Sequence, residues 1–101
     1  MDTETAGYRL VARGQHEDEA AGVRAEWWRY EGGKGDLTVL SVRSRHAVGS
    51  VTDAGGGAWV RHTGFPTDHR FESVWSRQGP MPPGTAVTVA TPGGITTLVV
   101  Q

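Results

Sequence analysis

Three side chains in the second half of the sequence have the chemistry to move protons. His62, His69 and Glu72 lie close together in the chain, and imidazole and carboxylate groups act as general acids and bases when a fold brings them into one cavity. If the chain is an enzyme, we expect these three residues to be catalytic. The enzymatic alternative is a small β-barrel cyclase or isomerase of secondary metabolism with a Trp-lined cavity, because positioning and desolvation need leave no sequence motif.

A second group of residues has the composition of a metal site. Residues 16–19 read His-Glu-Asp-Glu, and His62 and His69 flank the segment Gly64–Pro66. Imidazole and carboxylate ligands can hold zinc or nickel without Cys. Their spacing matches no recurring metal signature, so we expect solvated side chains, no metal and no cofactor.

The established nucleotide and hydrolase motifs are missing. Gly33-Lys34-Gly35 resembles a phosphate-binding loop only superficially, because that loop needs Ser or Thr after the Lys and a Gly six positions before it. Residue 35 is Gly and residue 28 is Trp. The sequence also contains no Gly-x-Ser-x-Gly and no His-Glu-x-x-His, so no assembled catalytic motif supports an enzyme.

Four Trp among 101 residues are more informative. Trp27 and Trp28 are adjacent, and neighbouring side chains of a strand point to opposite faces. We expect Val23, Ala25 and Trp27 to face inward, which leaves Trp28 and Tyr30 on the outer face. The other Trp residues are expected in the core, where large rings compensate for the shortage of Leu and Phe.

Arginines near these aromatic residues complete a predicted binding surface. Arg43 and Arg45 alternate onto one strand face, and Arg61 shares a predicted face with Trp59. Arg and exposed Trp suit sugars, aromatic ligands or a protein partner, whereas a solvated edge strand is the alternative for the arginines. The predicted ligand- or partner-binding residues are Trp28, Tyr30, Arg43, Arg45, Trp59 and Arg61.

The elements that position these residues are predicted to be strands. β-Branched residues are abundant, and apolar runs alternate with Gly, Pro and Asp clusters about every eight to twelve residues. This pattern predicts an all-β fold, a small antiparallel sandwich or barrel of about seven to eight strands. The expected strands are Tyr8–Arg13, Val23–Tyr30, Asp36–Ser44, His46–Thr52, Gly57–Thr63, Phe71–Arg77, Thr85–Thr91 and Ile95–Val100.

One short helix near residues 17–30 is the alternative for the second strand. Ala20, Val23, Trp27 and Tyr30 recur at helical spacing, with acidic residues before them and Gly32 beyond. Gly22 in the middle of the segment and the run of aromatic residues favour a strand instead. The Pro-rich segment 79–84 cannot join a sheet ladder, so it is expected to carry the chain across the sandwich.

Composition narrows the class of protein. Ten Lys or Arg balance eleven Asp or Glu, which argues against a nucleic-acid partner. The absence of Cys fits a reducing compartment, no apolar run approaches the roughly 18 residues of a membrane span, and the acidic start is unlike a signal peptide. We therefore expect a cytoplasmic protein without a membrane partner. Nine Arg against one Lys and the absence of Asn indicate a GC-rich bacterial genome, such as that of an actinobacterium.

These observations predict one β-rich domain over residues 1–101, with about the first six residues disordered. The leading functional expectation is a non-enzymatic binding or interaction domain that self-associates and carries an aromatic and Arg-bearing surface. Its partner is a protein or a second copy of the chain.

Overall fold

The computed structural model is an all-β fold of two antiparallel sheets, which confirms the predicted fold class. It describes residues 4–5, 7–67 and 70–101, and within these ranges it contains no helix. The strands are β1 (Glu4–Thr5), β2 (Tyr8–Asp18), β3 (Val23–Gly32), β4 (Leu37–Ser44), β5 (Ser50–Asp53), β6 (Val60–Thr67), β7 (Arg70–Gln78), β8 (Thr85–Thr91) and β9 (Gly94–Val100).

The helix alternative for residues 17–30 is wrong, because this segment forms the end of β2, a tight turn and most of β3. The turn closes with a 3.1 Å hydrogen bond from Gly22 N–H to the Glu19 carbonyl. Gly22 adopts φ +68°, which favours glycine. Asp18 Oδ1 accepts the Ala21 N–H at 3.1 Å, so side-chain and backbone bonds stabilise the hairpin in place of a helical turn.

The chain alternates between the two sheets. The six-stranded sheet has the order β1-β2-β3-β4-β7-β6, and the three-stranded sheet has the order β5-β8-β9. The chain leaves the larger sheet after β4, returns to it at β6, and crosses again through residues 79–84. This confirms the predicted role of the Pro-rich segment, whose Met81 is buried in the core.

The core lies between the inner faces of the two sheets. Trp27 and Trp75 are buried, and Trp59 is partly buried and packs against the core cluster. The predicted contribution of three Trp to the core is therefore confirmed. From the larger sheet Val23, Ala25, Leu40 and Val42 join them, and from the smaller sheet Val51, Val87, Val89, Leu98 and Val100.

The predicted strand bounds are wrong at β2, β5 and β6. β2 ends at Asp18 rather than Arg13, and β6 is Val60–Thr67 rather than Gly57–Thr63. The sequence favoured a strand over His46–Thr52, but residues 45–49 form a connection and the strand is Ser50–Asp53. Ser44 Oγ donates to the His46 carbonyl at 2.6 Å, and Arg45 N–H donates to the Gly22 carbonyl at 3.0 Å. These bonds divert the chain from the larger sheet and use backbone groups that a longer strand would need.

Part of the expected N-terminal disorder lies outside the described residues. Of the first six positions the structure describes only Glu4–Thr5, which pair antiparallel with Tyr8–Arg9. Within the described part of the chain, no helix is long and apolar enough to cross a membrane.

Candidate binding face

An aromatic and aliphatic surface covers one half of the outer face of the six-stranded sheet. Trp28 on β3 lies opposite Arg13 on β2 and Val39 on β4. One row further along the strands, Tyr30 lies opposite Leu10 and Leu37. The three-stranded sheet packs on the opposite, inner face. The aromatic band is the set Leu10, Trp28, Tyr30, Leu37, Val39 and Val60.

Most members of the aromatic band are half-buried, and none belongs to the core. Trp28, Tyr30 and Val39 are half-buried, and Val60, whose cross-strand partner is Ser76, is 55% exposed. The predicted split of Trp27 to the core and Trp28 to the outer face is thus confirmed. The same register places Tyr30 on the same outer face of the sheet as Trp28, as the alternation predicted.

The other half of this face carries a row of paired charges, the charge ladder: Glu17, Arg24, Arg43 and Glu72, one residue from each of four adjacent strands. Arg24 Nη2 lies 3.1 Å from Glu17 Oε2, and Arg43 Nη2 lies 2.8 Å from Glu72 Oε1. Arg24 and Arg43 are directly opposite each other, where like charges would repel. The flanking carboxylates offset that repulsion.

The three predicted surface arginines do not form one anion-binding strip. Arg43 belongs to the charge ladder. Arg45 lies against Gly22, where its Nη2 donates to the Glu19 carbonyl at 2.7 Å, so it stabilises the β2–β3 turn. Arg43 and Arg45 do line one open cleft of about 400 Å³. Arg61 lies apart, as the cross-strand partner of the buried Trp75.

Trp59 is held by a buried carboxylate that sequence reasoning missed. Asp53, whose side chain is fully buried, accepts the Trp59 Nε1–H at 2.8 Å on Oδ2. Its Oδ1 accepts the N–H groups of Gly55 at 2.8 Å and Gly57 at 3.2 Å. Arg77 Nε lies 2.7 Å from Oδ2, but its hydrogen does not point at the carboxylate, so this contact is ionic rather than a directed hydrogen bond.

Hydrogen bonding outweighs burial in setting the charge state of Asp53. Burial on its own raises the pKa of this carboxyl, but the bonds from Gly57 and Trp59 and the charge of Arg77 together lower the pKa below its usual value. Arg77 Nη1 also donates to the carbonyls of Gly79 and Pro80, at 3.2 and 3.1 Å. The pair therefore joins the loop after β5 to the crossing at residues 79–84, and its role is structural.

Two sequence signals could have revealed this pair. Asp53 is followed by Gly residues at positions 55 and 57, a pattern typical of a carboxylate that caps a turn. Arg77 falls on the same strand face as the inward-facing Trp75. A charged residue on an inner face needs a buried partner, and the turn carboxylate of Asp53 supplies it. Trp59 itself precedes β6, and the predicted strand Gly57–Thr63 begins only at Val60.

The predicted proton-transfer residues have separate partners. His62 hydrogen-bonds Ser76 Oγ through Nε2, whereas Glu72 pairs with Arg43. His69 lies outside the described residues. The structure thus provides no contact between His62 and Glu72 that would support their joint role in catalysis.

The side chains of residues 16–18 likewise have separate partners and do not form one cluster. His16 Nε2 lies 2.7 Å from Thr96 Oγ1, Glu17 pairs with Arg24, and hydrogen bonds from Ala21 N–H and Thr96 lower the pKa of Asp18. Within the described ranges no group of three or more His, Asp or Glu side chains could hold a metal ion.

Three clefts of the described surface do not have the character of a cyclase cavity. These clefts of about 190 to 400 Å³ open to solvent at the sheet surface and at the connections. Their linings contain charged side chains and no Trp, while Trp27 and Trp75 belong to the core. A Trp-lined cavity for an apolar substrate therefore finds no support in these clefts.

Comparison with known proteins adds no family: no family model matches the chain, and no curated protein or solved structure is significantly similar to it.

Proposed function

We propose that this chain is a non-enzymatic binding domain that works as a homo-oligomer and contacts a protein partner through the aromatic band. The observation that carries the proposal is the placement of Trp28 and Tyr30 among aliphatic side chains on a sheet face that the second sheet does not cover. Contiguous apolar surface marks interaction sites, and Trp and Tyr are frequent hot spots of protein interfaces.

The shape and charge of this face favour a protein over other ligands. Small-molecule sites are concave, whereas the aromatic band lies on the outer surface of a sheet. Arg13 lies beside Trp28, and Gln15 and Glu26 form the next row on the same face. These side chains supply the polar rim that protein interfaces carry, and the charge ladder lies one row beyond them. Because the arginines of the ladder are paired with carboxylates, they form no basic surface for nucleic acid.

Affinity capture with the wild-type chain and matched variants as baits tests this function. Wild-type chain, Trp28→Ala, Tyr30→Ala and the control Thr88→Ala, on the outer face of the other sheet, are used to capture proteins from cells that produce the chain. The captured candidate is then purified and its affinity is measured against each bait. We expect the wild type and Thr88→Ala to bind equally and the two band variants to bind at least about tenfold more weakly.

Equal affinity of a purified partner for the wild type and both band variants would place binding elsewhere on the molecule. Failure of any protein to distinguish the wild type from the band variants would overturn the proposed role of the aromatic band. Circular dichroism of each bait ensures that a lost interaction does not reflect unfolding.

A further inference from the structure

The last strand, β9, is the edge of the three-stranded sheet, and it lacks the features that protect the other edges. Natural edge strands are kept from pairing with other chains by bulges, prolines, charges or short length. β6 has a register shift between Arg61 and Thr63 and contains Pro66. β5 has only four residues.

The edge at β2 is also protected. β2 has a register shift between Leu10 and Ala12, and the short β1 pairs with its beginning. In contrast, β9 runs for seven residues with the sequence Gly-Ile-Thr-Thr-Leu-Val-Val, in unbroken register with β8. It contains no proline and no charged residue.

The backbone of β9 offers alternate amides to a further strand. A two-residue turn at Pro92-Gly93 makes Thr91 and Gly94 a hydrogen-bonded pair. Amide direction alternates along an antiparallel strand, so Ile95, Thr97 and Val99 direct their N–H and C=O groups away from β8. Within the described part of the chain, no strand pairs with that side of β9.

We infer that a second copy of this chain pairs with β9 in antiparallel register, around a two-fold axis at Thr97. This register places Thr97 opposite Thr97 of the second copy and Ile95 opposite Val99 of the second copy. All three residues present their backbone groups to the open side, so the pair forms about six backbone hydrogen bonds. The two small sheets then join into one continuous six-stranded sheet.

The side chains of β9 fit this self-pairing. Ile95 is 68% exposed and Val99 is 48% exposed, among the most exposed large apolar residues of the described chain. The two-fold axis brings Ile95 of one copy against Val99 of the other, and such aliphatic cross-strand pairs stabilise sheets. A two-fold contact requires a surface that complements itself, and on the outer face the aliphatic residues Ile95 and Val99 lie at equal spacing on either side of Thr97.

Charge favours this edge over the aromatic band as the contact between copies. Residues 78–101 contain no charged side chain, so β9 itself brings no like charges to the contact. Stacking two copies through the whole outer face of the larger sheet would instead desolvate the charge ladder on the same face, and buried ion pairs carry a desolvation cost. The aromatic band thus stays free for a different protein.

The inference rests on the homo-oligomer of the proposed function and names its contact. Analytical ultracentrifugation over a concentration series measures the dimer Kd of four samples: wild type, Thr97→Lys, Thr88→Lys, and an equimolar mixture of Thr97→Lys with Thr97→Glu. Thr88 is the matched control, because it pairs with Thr97 on the same outer face but belongs to the central strand β8.

We expect a wild-type dimer and a dimer Kd at least about tenfold higher for Thr97→Lys, because two ammonium groups meet at the axis. The Lys and Glu variants should form a mixed dimer with nearly wild-type Kd, and Thr88→Lys should behave as wild type. Thr88 and Thr97 side chains are both on the solvent side of the sheet, so these variants retain the fold, which circular dichroism verifies.

Each contrary result has its own meaning. A wild-type chain that stays monomeric at high micromolar concentration would overturn both the homo-oligomer of the proposed function and this inference. A dimer that none of the variants weakens would overturn only the β9 contact. Equal loss of the dimer in Thr97→Lys and Thr88→Lys would indicate stacking of sheet faces and would also overturn edge pairing.

Discussion

The indole of Trp27 occupies the space that a side chain at Gly14 would need. The two residues are cross-strand partners on β3 and β2, and a Cβ atom on Gly14 would lie 2.4 Å from Cζ2 of Trp27. A polar-looking stretch of β2 therefore contributes to the core through the absence of a side chain. The glycine is required by close packing, since its φ is not in the left-handed region.

Gly14→Ala is expected to destabilise the domain by about 1–3 kcal/mol, because overpacking displaces a ring that the core holds in place. Urea unfolding followed by Trp fluorescence measures the loss. Gln15→Ala, at the exposed neighbouring position, should stay within about 0.5 kcal/mol of the wild type. Equal stabilities of the two variants would mean that the indole has room to move.

The adjacent Trp residues should differ in their contribution to stability. Trp27→Ala empties a buried site and is expected to cost about 3–5 kcal/mol. Trp28→Ala removes a half-buried ring from the outer face and should cost about 1 kcal/mol. Chemical denaturation of both variants provides the comparison, and similar large losses would show that the aromatic band is part of the core.

Removing the charge of Asp53 should be costly, because it leaves Arg77 buried without its counter-ion. We expect Asp53→Asn to lose about 3–5 kcal/mol of unfolding free energy. The exposed pair provides the control: Glu17→Gln should cost at most about 1 kcal/mol. If both variants unfold at the same urea concentration, the buried pair does not hold the β5 loop to the crossing segment.

Acid should destabilise the domain through Asp53 and Asp18. Hydrogen bonds lower the pKa of both carboxyls in the folded state, so their stabilisation is present above the unfolded pKa and is lost as pH falls through the folded pKa. Unfolding free energy should therefore decline below about pH 4. Asp18→Asn should flatten part of this decline, and an unchanged slope would contradict the assignment to Asp18.

Local pattern was sufficient where a strand alternates cleanly. Thr85–Thr91 was predicted with its observed bounds, since Val87 and Val89 alternate with small and polar residues. The division between Trp27 and Trp28 followed from the same period of two. Both predictions depend only on neighbours along the chain, and the outward position of Tyr30 follows by the same rule.

Contacts between residues that are distant in the chain could not be predicted from the alternation of neighbouring residues. The connection before β5 depends on Arg45 packing at Gly22 and on His46 lying where a side chain at Gly93 would be. The pairing of Asp53 with Arg77 joins strands of different sheets. Predicting such contacts requires knowledge of the order of strands in the sheets, which the alternation of residues does not specify. For this reason the predicted strand His46–Thr52 began four residues before the observed β5.

The departure of β5 to the smaller sheet has a consequence for the order in which the chain folds. The β2-β3-β4 meander and the β8-β9 hairpin join neighbouring segments, and each closes through short turns. β4 pairs with β7, and β5 pairs with β8, across long intervening segments, and closing such long loops costs entropy. We expect the rate-limiting step of folding to be the docking of the β8-β9 hairpin and the β2-β3-β4 meander, since non-local pairing closes the largest loops.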